Sequence, residues 1–297
     1  MAIDSDPTPL LSAFFEGPME HGKDLTQGGA WINSSGVAVI GLADVADSLS
    51  AINKVVFDTA TPPDERVSFG FLLHAIQEDF KGYDSLYRRL KNPEKTPKFG
   101  NEDSGADENV EWLLSLLNDA FGNKVSYRRG DYRVGYWTLT MHTGFGRLMG
   151  ATPNGRKSGE AFASGLTPVS GVTPWLTKGC NSVARVAHRK PQCISNGMAF
   201  NVKFTPEGDK MLNRLINSVS GYFSNGGMEV QFNIIPHMDL ARAMSHPEEY
   251  PELLVRVSGY TAYFKDLGPE MQREILNRTE FLALPENWVA KVYPLSH

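Results

Sequence analysis

Apolar residues along this chain recur at two spacings, one of strand type and one of helix type. Val37–Gly41 is a short apolar run and predicts a buried strand. From Ala43 to about Phe57, the apolar positions Val45, Leu49, Ile52 and Val56 fall at helical spacing and predict a helix. Asp44 and Asp47 suit its first turn, where acidic side chains meet the positive end of the helix dipole. Ser68 is a candidate cap for a second helix reaching Phe80, and a third runs from about Asp107 to Phe121. Val134–Met141 is apolar and aromatic and predicts a strand. Ala151 to Lys178 is rich in Gly, Pro, Ser and Thr and predicts a long loop region.

Alternation then resumes. Gly197–Phe204 predicts a strand, Thr205–Tyr222 a helix, Met228–Ile234 a strand and His237–Ser245 a helix. Leu253–Val257 predicts a strand and Pro269–Arg278 a helix. Strands alternating with helices point to an α/β fold with a mainly parallel sheet. Pro93 to Gly105 and Lys124 to Asp131 are polar and predict surface loops rather than linkers.

Composition narrows the function classes. The chain has 297 residues, 41% of them hydrophobic and 21% charged, which suits a folded globular protein. That length supports one large domain or two ordinary ones, with a core that needs no disulfide staple. A net charge of −5 argues against a protein built to neutralise phosphates. No apolar run has membrane-spanning length. The N-terminus carries no basic leader or apolar signal segment, and Cys180 and Cys193 form no disulfide framework. The expected location is therefore the reducing cytoplasm.

Several candidate motifs fail on spacing. Gly144, Gly146 and Gly150 resemble a nucleotide-binding loop, but Met149 stands where its third glycine belongs. A tight turn is the simpler reading there. The seven histidines contain no zincin pair, and the two cysteines do not have zinc spacing. His188 lies between Cys180 and Cys193 in sequence, which leaves a cysteine hydrolase as an alternative of a different class. Buried free thiols are the simpler reading.

One stretch carries more. Val255–Phe264 reads as a strand, a turn with Gly259 at its tip, and a second apolar segment. The apolar flanks imply a buried tip. Arg256-Val257-Ser258-Gly259-Tyr260-Thr261-Ala262 resembles the radical-bearing loop of the glycyl radical enzymes, among them pyruvate formate-lyase and the cobalamin-independent glycerol and propanediol dehydratases. Further resemblances lie in order along the chain: His21–Ala30, Gly41–Leu49, Gly155–Glu160, Ala163–Gly171, Gln231-Phe232-Asn233 and Arg278-Thr279-Glu280-Phe281.

The resemblance implies a fold, a site and partners. The fold would be the second half of a ten-stranded α/β barrel of the glycyl radical enzyme type, followed by a C-terminal glycyl radical domain. Residues 1–178 would belong to the pyruvate formate-lyase-like barrel, and 179–297 to the radical domain, with its loop at 255–264. Gly259 matches the radical position. A Cα radical there has no side chain to hinder planarity, so it delocalises onto the flanking amide and carbonyl. The cofactor would be this protein-derived glycyl radical, with no bound metal or nucleotide.

A radical S-adenosylmethionine activating enzyme would be the partner that makes the radical, and the S-adenosylmethionine and iron–sulfur cluster belong to it. The thiyl cysteine, found in a Cys-x-Glu context in the dehydratase-like branch, would come from a cysteine-bearing N-terminal half or subunit. Neither Cys180 nor Cys193 has the following glutamate. The implied activity is that of a dehydratase, lyase or formate acetyltransferase, with a slight lean to the dehydratase and lyase branch. A homodimer is compatible with this reading; a nucleic-acid or membrane partner is not implied. An autonomous radical-domain spare part and a catalytically inactive fragment or binding module remain as alternatives. Substrate contacts are not readable; Tyr136 or Thr138 could face substrate, although core packing is the simpler role for both.

Overall fold

A parallel ladder is the frame on which the candidate site is built. The computed structural model describes residues 6–122, 124–171, 175–204, 211–278 and 280–281. Two four-residue helices, α1 (Pro9–Ser12) and α2 (Pro18–His21), precede the first strand. Strand β1 (Ser35–Ala38) pairs in parallel with β2 (Tyr132–Gly135), Val37 lying opposite Val134. Strand β3 (Asn201–Phe204) lies between β4 (Gln231–Asn233) and β7 (Glu280–Phe281), parallel to both. A parallel bridge between Tyr136 and Met198 links the two ladders. Tyr136 N–H donates to Gly197 O and Ala199 N–H donates to Tyr136 O, each at 2.9 Å. Strands β5 (Leu254–Arg256) and β6 (Thr261–Tyr263) form an antiparallel hairpin.

Helices fill the connections, as parallel pairing requires. Between β1 and β2 lie α3 (Leu42–Ile52), α4 (Phe69–Gln77), α5 (Asp84–Lys91) and α6 (Ser104–Phe121). Next come α7 (Met141–Leu148), α8 (Leu176–Arg189), α9 (Met211–Ser224), α10 (His237–Ser245) and α11 (Pro269–Asn277). The mainly parallel α/β expectation holds. Ser68 caps α4, its Oγ accepting from Phe71 N–H at 3.1 Å.

Four expectations are corrected. The apolar run Val134–Met141 is not one strand: pairing ends at Tyr136, and Met141 begins α7. The low-propensity stretch from Ala151 ends earlier than Lys178, because α8 starts at Leu176. Gly144 and Gly146 form neither a phosphate loop nor a tight turn, since both lie inside α7. A Cβ on Gly146 would collide with Glu160 O, so glycine lets the helix touch the following loop. Of the predicted helix Thr205–Tyr222, residues 205–210 lie outside the described residues.

The largest correction concerns α3. Of the periodic apolar residues, Val45 is 47% exposed and Ile52 and Val56 pack only half-buried against a core cluster that includes Leu72 and Leu90, while the fully buried face is Leu42, Ala43, Ala46, Asp47, Ser50 and Ala51. Small side chains let α3 lie close against α6, where Asn109 Nδ2 donates to Ser50 Oγ at 2.9 Å. Asp44 lies in the first turn as expected and Asp47 one turn further on, but both are buried and bonded to other elements rather than facing solvent. Asp44 Oδ1 accepts from Asn154 Nδ2 at 3.0 Å, and its Oδ2 accepts from Ala163 N–H at 2.7 Å. Asp47 Oδ1 accepts from Phe99 N–H at 2.8 Å. Lys98 Nζ donates to Asn154 O at 3.0 Å.

Arg156, also buried, gives its guanidinium to the carbonyls of Gly146, Met149, Gly150, Lys157 and Glu160 and lies 4.3 Å over the Phe162 ring. The loop from 151 to 165 therefore folds around buried polar groups. Residues from Gly41–Leu49, Gly155–Glu160 and Ala163–Gly171 meet in this one network.

This packing predicts a contrast within α3. Asp44→Ala leaves two buried donors without acceptors and should lower unfolding free energy by about 2–5 kcal/mol in urea melts. Val45→Ser on the exposed face should stay within about 0.5 kcal/mol. Asp107 on α6 yields a second prediction. Burial pushes its carboxyl up to about 7, against the pull of Arg185 at 3.2 Å. The folded chain thus binds this proton more tightly than the unfolded chain, so stability falls as pH rises from about 4 to about 7. In Asp107→Asn, denaturant midpoints across that window should lose part of this decline; an unchanged slope would contradict the assignment.

Candidate functional site

Gly259 sits at the turn of the β5–β6 hairpin, closed by Val257 N–H donating to Tyr260 O at 2.9 Å. Its φ is +79°, in the left-handed region that favours glycine. Among the described residues, a Cβ built there would meet nothing within 4 Å. The hairpin base is apolar for a packing reason: Val255, Val257 and Phe264 bury against Leu240 and Ala243 of α10 and Met271 and Ile275 of α11. The tip departs from expectation. Ser258 is buried, but Gly259 is exposed. The apolar flanks belong to the core beneath the tip and do not cover it.

The tip is held by side chains from outside the hairpin. Gln231 and Asn233 sit two apart on β4, so they share a face, and both are buried. Asn233 treats Arg256 as a strand partner would: its Oδ1 accepts from Arg256 N–H and its Nδ2 donates to Arg256 O, both at 2.7 Å. Gln231 Oε1 accepts from Gly259 N–H at 2.8 Å and from Arg256 Nε at 3.0 Å. Two donors on one atom fix which end of the Gln231 amide faces the loop.

Arg278, at the end of α11, completes the hold. It donates to Arg256 O at 3.1 Å and to Val257 O at 2.6 Å. It is paired with Glu274 at 2.8 Å, one helical turn back. Burial pushes the Glu274 carboxyl up, but Arg278 and His142 outweigh it and hold the pKa down at about 2. His142 Nε2, on α7, lies 3.3 Å from Glu274 Oε1, and the ring is fully buried. A line of contacts thus runs from α7 through α11 to the hairpin. A cavity of about 620 Å³ lies between α7, the 156–171 loop and α11, lined by Lys91, Arg147, Arg156, Glu270 and Arg273 among others.

The remaining sequence candidates do not join this site. Cys180 and Cys193 are buried, and burial pushes the Cys180 thiol up to about 12 and that of Cys193 in the same direction. A nucleophilic thiol needs the opposite shift. His188 is exposed, and no hydrogen bond joins it to either thiol among the described residues. Tyr136 and Thr138 are both buried, and Tyr136 packs in the main core. His246, Glu248 and Glu249 cluster within 4.8 Å but are all exposed, a solvated acidic turn rather than a built metal centre.

Sequence reasoning named Gly259 without its supports. Gln231, Asn233 and Arg278 entered only through runs that resemble a family. Glu274 and His142 were missed, although a Glu–Arg pair at helical spacing after an apolar face was a usable signal.

A pyruvate formate lyase-like family profile matches residues 1–146, and a glycine radical profile matches residues 162–265, a span that includes Gly259. The chain is 34% identical over 281 residues to trans-4-hydroxy-L-proline dehydratase of Clostridioides difficile, covering 92% of this chain and 34% of that protein. It is 33% identical over 282 residues to (2S)-3-sulfopropanediol dehydratase of Klebsiella oxytoca, covering 92% and 33%. The glycerol-bound B12-independent glycerol dehydratase of Clostridium butyricum superposes with a TM-score of 0.84 at 35% identity, over 94% of this chain and 35% of that one. The chain therefore spans about one third of the length of the relatives it matches. Both profiles, these relatives and the shared fold lead to one conclusion: the chain belongs to the glycyl radical enzyme family.

Proposed function

We propose that this chain stores a Cα radical on Gly259 and works as the radical-bearing portion of a glycyl radical dehydratase or lyase. The observation that carries the proposal is the tip itself. Among the described residues Gly259 is exposed with open space at its α-carbon, while the backbone on its N-terminal side is held by buried side chains. A hydrogen atom can be removed there without moving a side chain. Its N–H and C=O flank the unpaired electron and share it.

The chemistry balances in two steps. An activating enzyme that cleaves S-adenosylmethionine with one electron from its iron–sulfur cluster makes a carbon radical. That radical takes one hydrogen atom from Gly259 Cα. The glycyl radical then takes the hydrogen atom of a cysteine thiol, restoring the glycine and leaving a thiyl radical for the substrate. The thiols of this chain are buried, so the proposal assigns that cysteine to a partner half or subunit.

Exposed apolar side chains such as Trp31, Ile32, Leu139, Met141 and Leu148 are consistent with a further protein surface against this one. In this reading residues 1–178 supply part of a ten-stranded barrel and 179–297 the radical domain. The protein works in the cytoplasm, as a homodimer or with that partner, without nucleic acid or membrane. The dehydratase and lyase class rests on the names of the similar proteins.

The proposal is tested by anaerobic activation with a family activating enzyme, S-adenosylmethionine and a reductant. Electron paramagnetic resonance should give a doublet from the one remaining α-hydrogen, collapsing when the protein is grown on α-deuterated glycine. Gly259→Ala should lose the doublet and cost about 1–2 kcal/mol of stability, because alanine must take the left-handed conformation. The same doublet in folded Gly259→Ala protein would overturn the assignment.

A further inference from the structure

Gln231 is placed to do more than pack. Its side-chain oxygen accepts the Gly259 N–H at 2.8 Å, although Gly259 itself is exposed. The same oxygen accepts Arg256 Nε at 3.0 Å. At its other end the Gln231 side chain meets Glu229, whose carboxylate also accepts Phe200 N–H at 3.2 Å. Both ends of the amide are therefore occupied. Glu229 lies two residues before Gln231, just ahead of β4. The chain Glu229–Gln231–Gly259 fixes the 258–259 peptide plane from a parallel ladder rather than from the hairpin.

We propose that Gln231 is a positioning residue for the radical: its oxygen holds the Gly259 amide and thereby sets the orientation and spread of the unpaired electron. This rests on Gly259 being the radical site. A planar Cα radical is stabilised when the flanking nitrogen donates electron density into it. An acceptor on the N–H favours that donation. It also keeps the amide coplanar with the radical centre. Asn233 and Arg278 bind the backbone of 256 and 257, so they place the loop; Gln231 alone among these three touches residue 259.

The test compares wild type with Gln231→Met, which keeps length and volume but loses the strong acceptor, and Gln231→Glu, which restores an oxygen. Amide hydrogen exchange is read first, on the unactivated full chain, by nuclear magnetic resonance. The Gly259 amide should exchange about tenfold faster in Gln231→Met and return toward wild type in Gln231→Glu. Unchanged exchange would overturn the proposal.

Each protein is then activated, with glycine labelled by nitrogen-15. Folded Gln231→Met should show an altered nitrogen hyperfine coupling and a severalfold faster loss of the doublet under anaerobic conditions. Faster exchange with an identical radical spectrum and lifetime would reduce Gln231 to a structural role and overturn the proposal. A wild-type chain that forms no radical, while its exchange behaves as expected, contradicts the Gly259 assignment instead and removes the basis of this inference. Should Gln231→Met fail to fold, Gln231→Leu replaces it under the same criteria.

Discussion

The structure around Gly259 depends on one constraint: its backbone must be fixed while its α-carbon stays bare. A hairpin alone cannot meet it, because a two-stranded ribbon is marginal in water and its turn frays. Here Asn233 supplies a side-chain copy of a strand ladder to Arg256, and Arg278 caps two successive carbonyls. These bonds are made by buried groups, where losing one partner costs more than the bond itself contributes. Among the described residues nothing lies within 4 Å of where a Gly259 Cβ would stand, and that side is left open.

The clamp needs its own support, which comes from farther along the chain. Arg278 is a buried cation and would be costly without Glu274. Glu274 in turn touches His142 on α7, and α7 is fastened to the 156–160 loop by Arg156. That loop is tied to α3 through Asp44 and Asn154. Residues more than two hundred positions before Gly259 thus share one packed polar system with the elements that hold it.

What was legible in the sequence follows from the length scale of each signal. The turn at Gly259 was legible because a position of positive φ leaves a glycine between apolar runs, but its role was legible only through the resemblance of residues 256–262 to a family's loop. Helix α10 and the cap at Ser68 were legible because their signals are local. The inner face of α3 was not. Periodicity points to large apolar residues, whereas close helix contact there selects alanine and serine and a buried network selects aspartate. Helices α7 and α8 were hidden by glycine, threonine and polar residues that tertiary packing overrides. The exposure of the tip was illegible for another reason: local pattern reports what lies beneath a turn and says nothing of what stands above it.

Membership in the glycyl radical family and the bare, anchored glycine meet at one atom, the α-carbon of Gly259. The measurement that reaches it most directly is mass spectrometry of the anaerobically activated chain after brief exposure to air. Oxygen adds to a glycyl radical and cuts the backbone there. The account predicts a new C-terminal fragment beginning at or near Tyr260, absent from protein never activated. An activated, folded chain that shows the radical signal yet is cut elsewhere, or not at all, would contradict it.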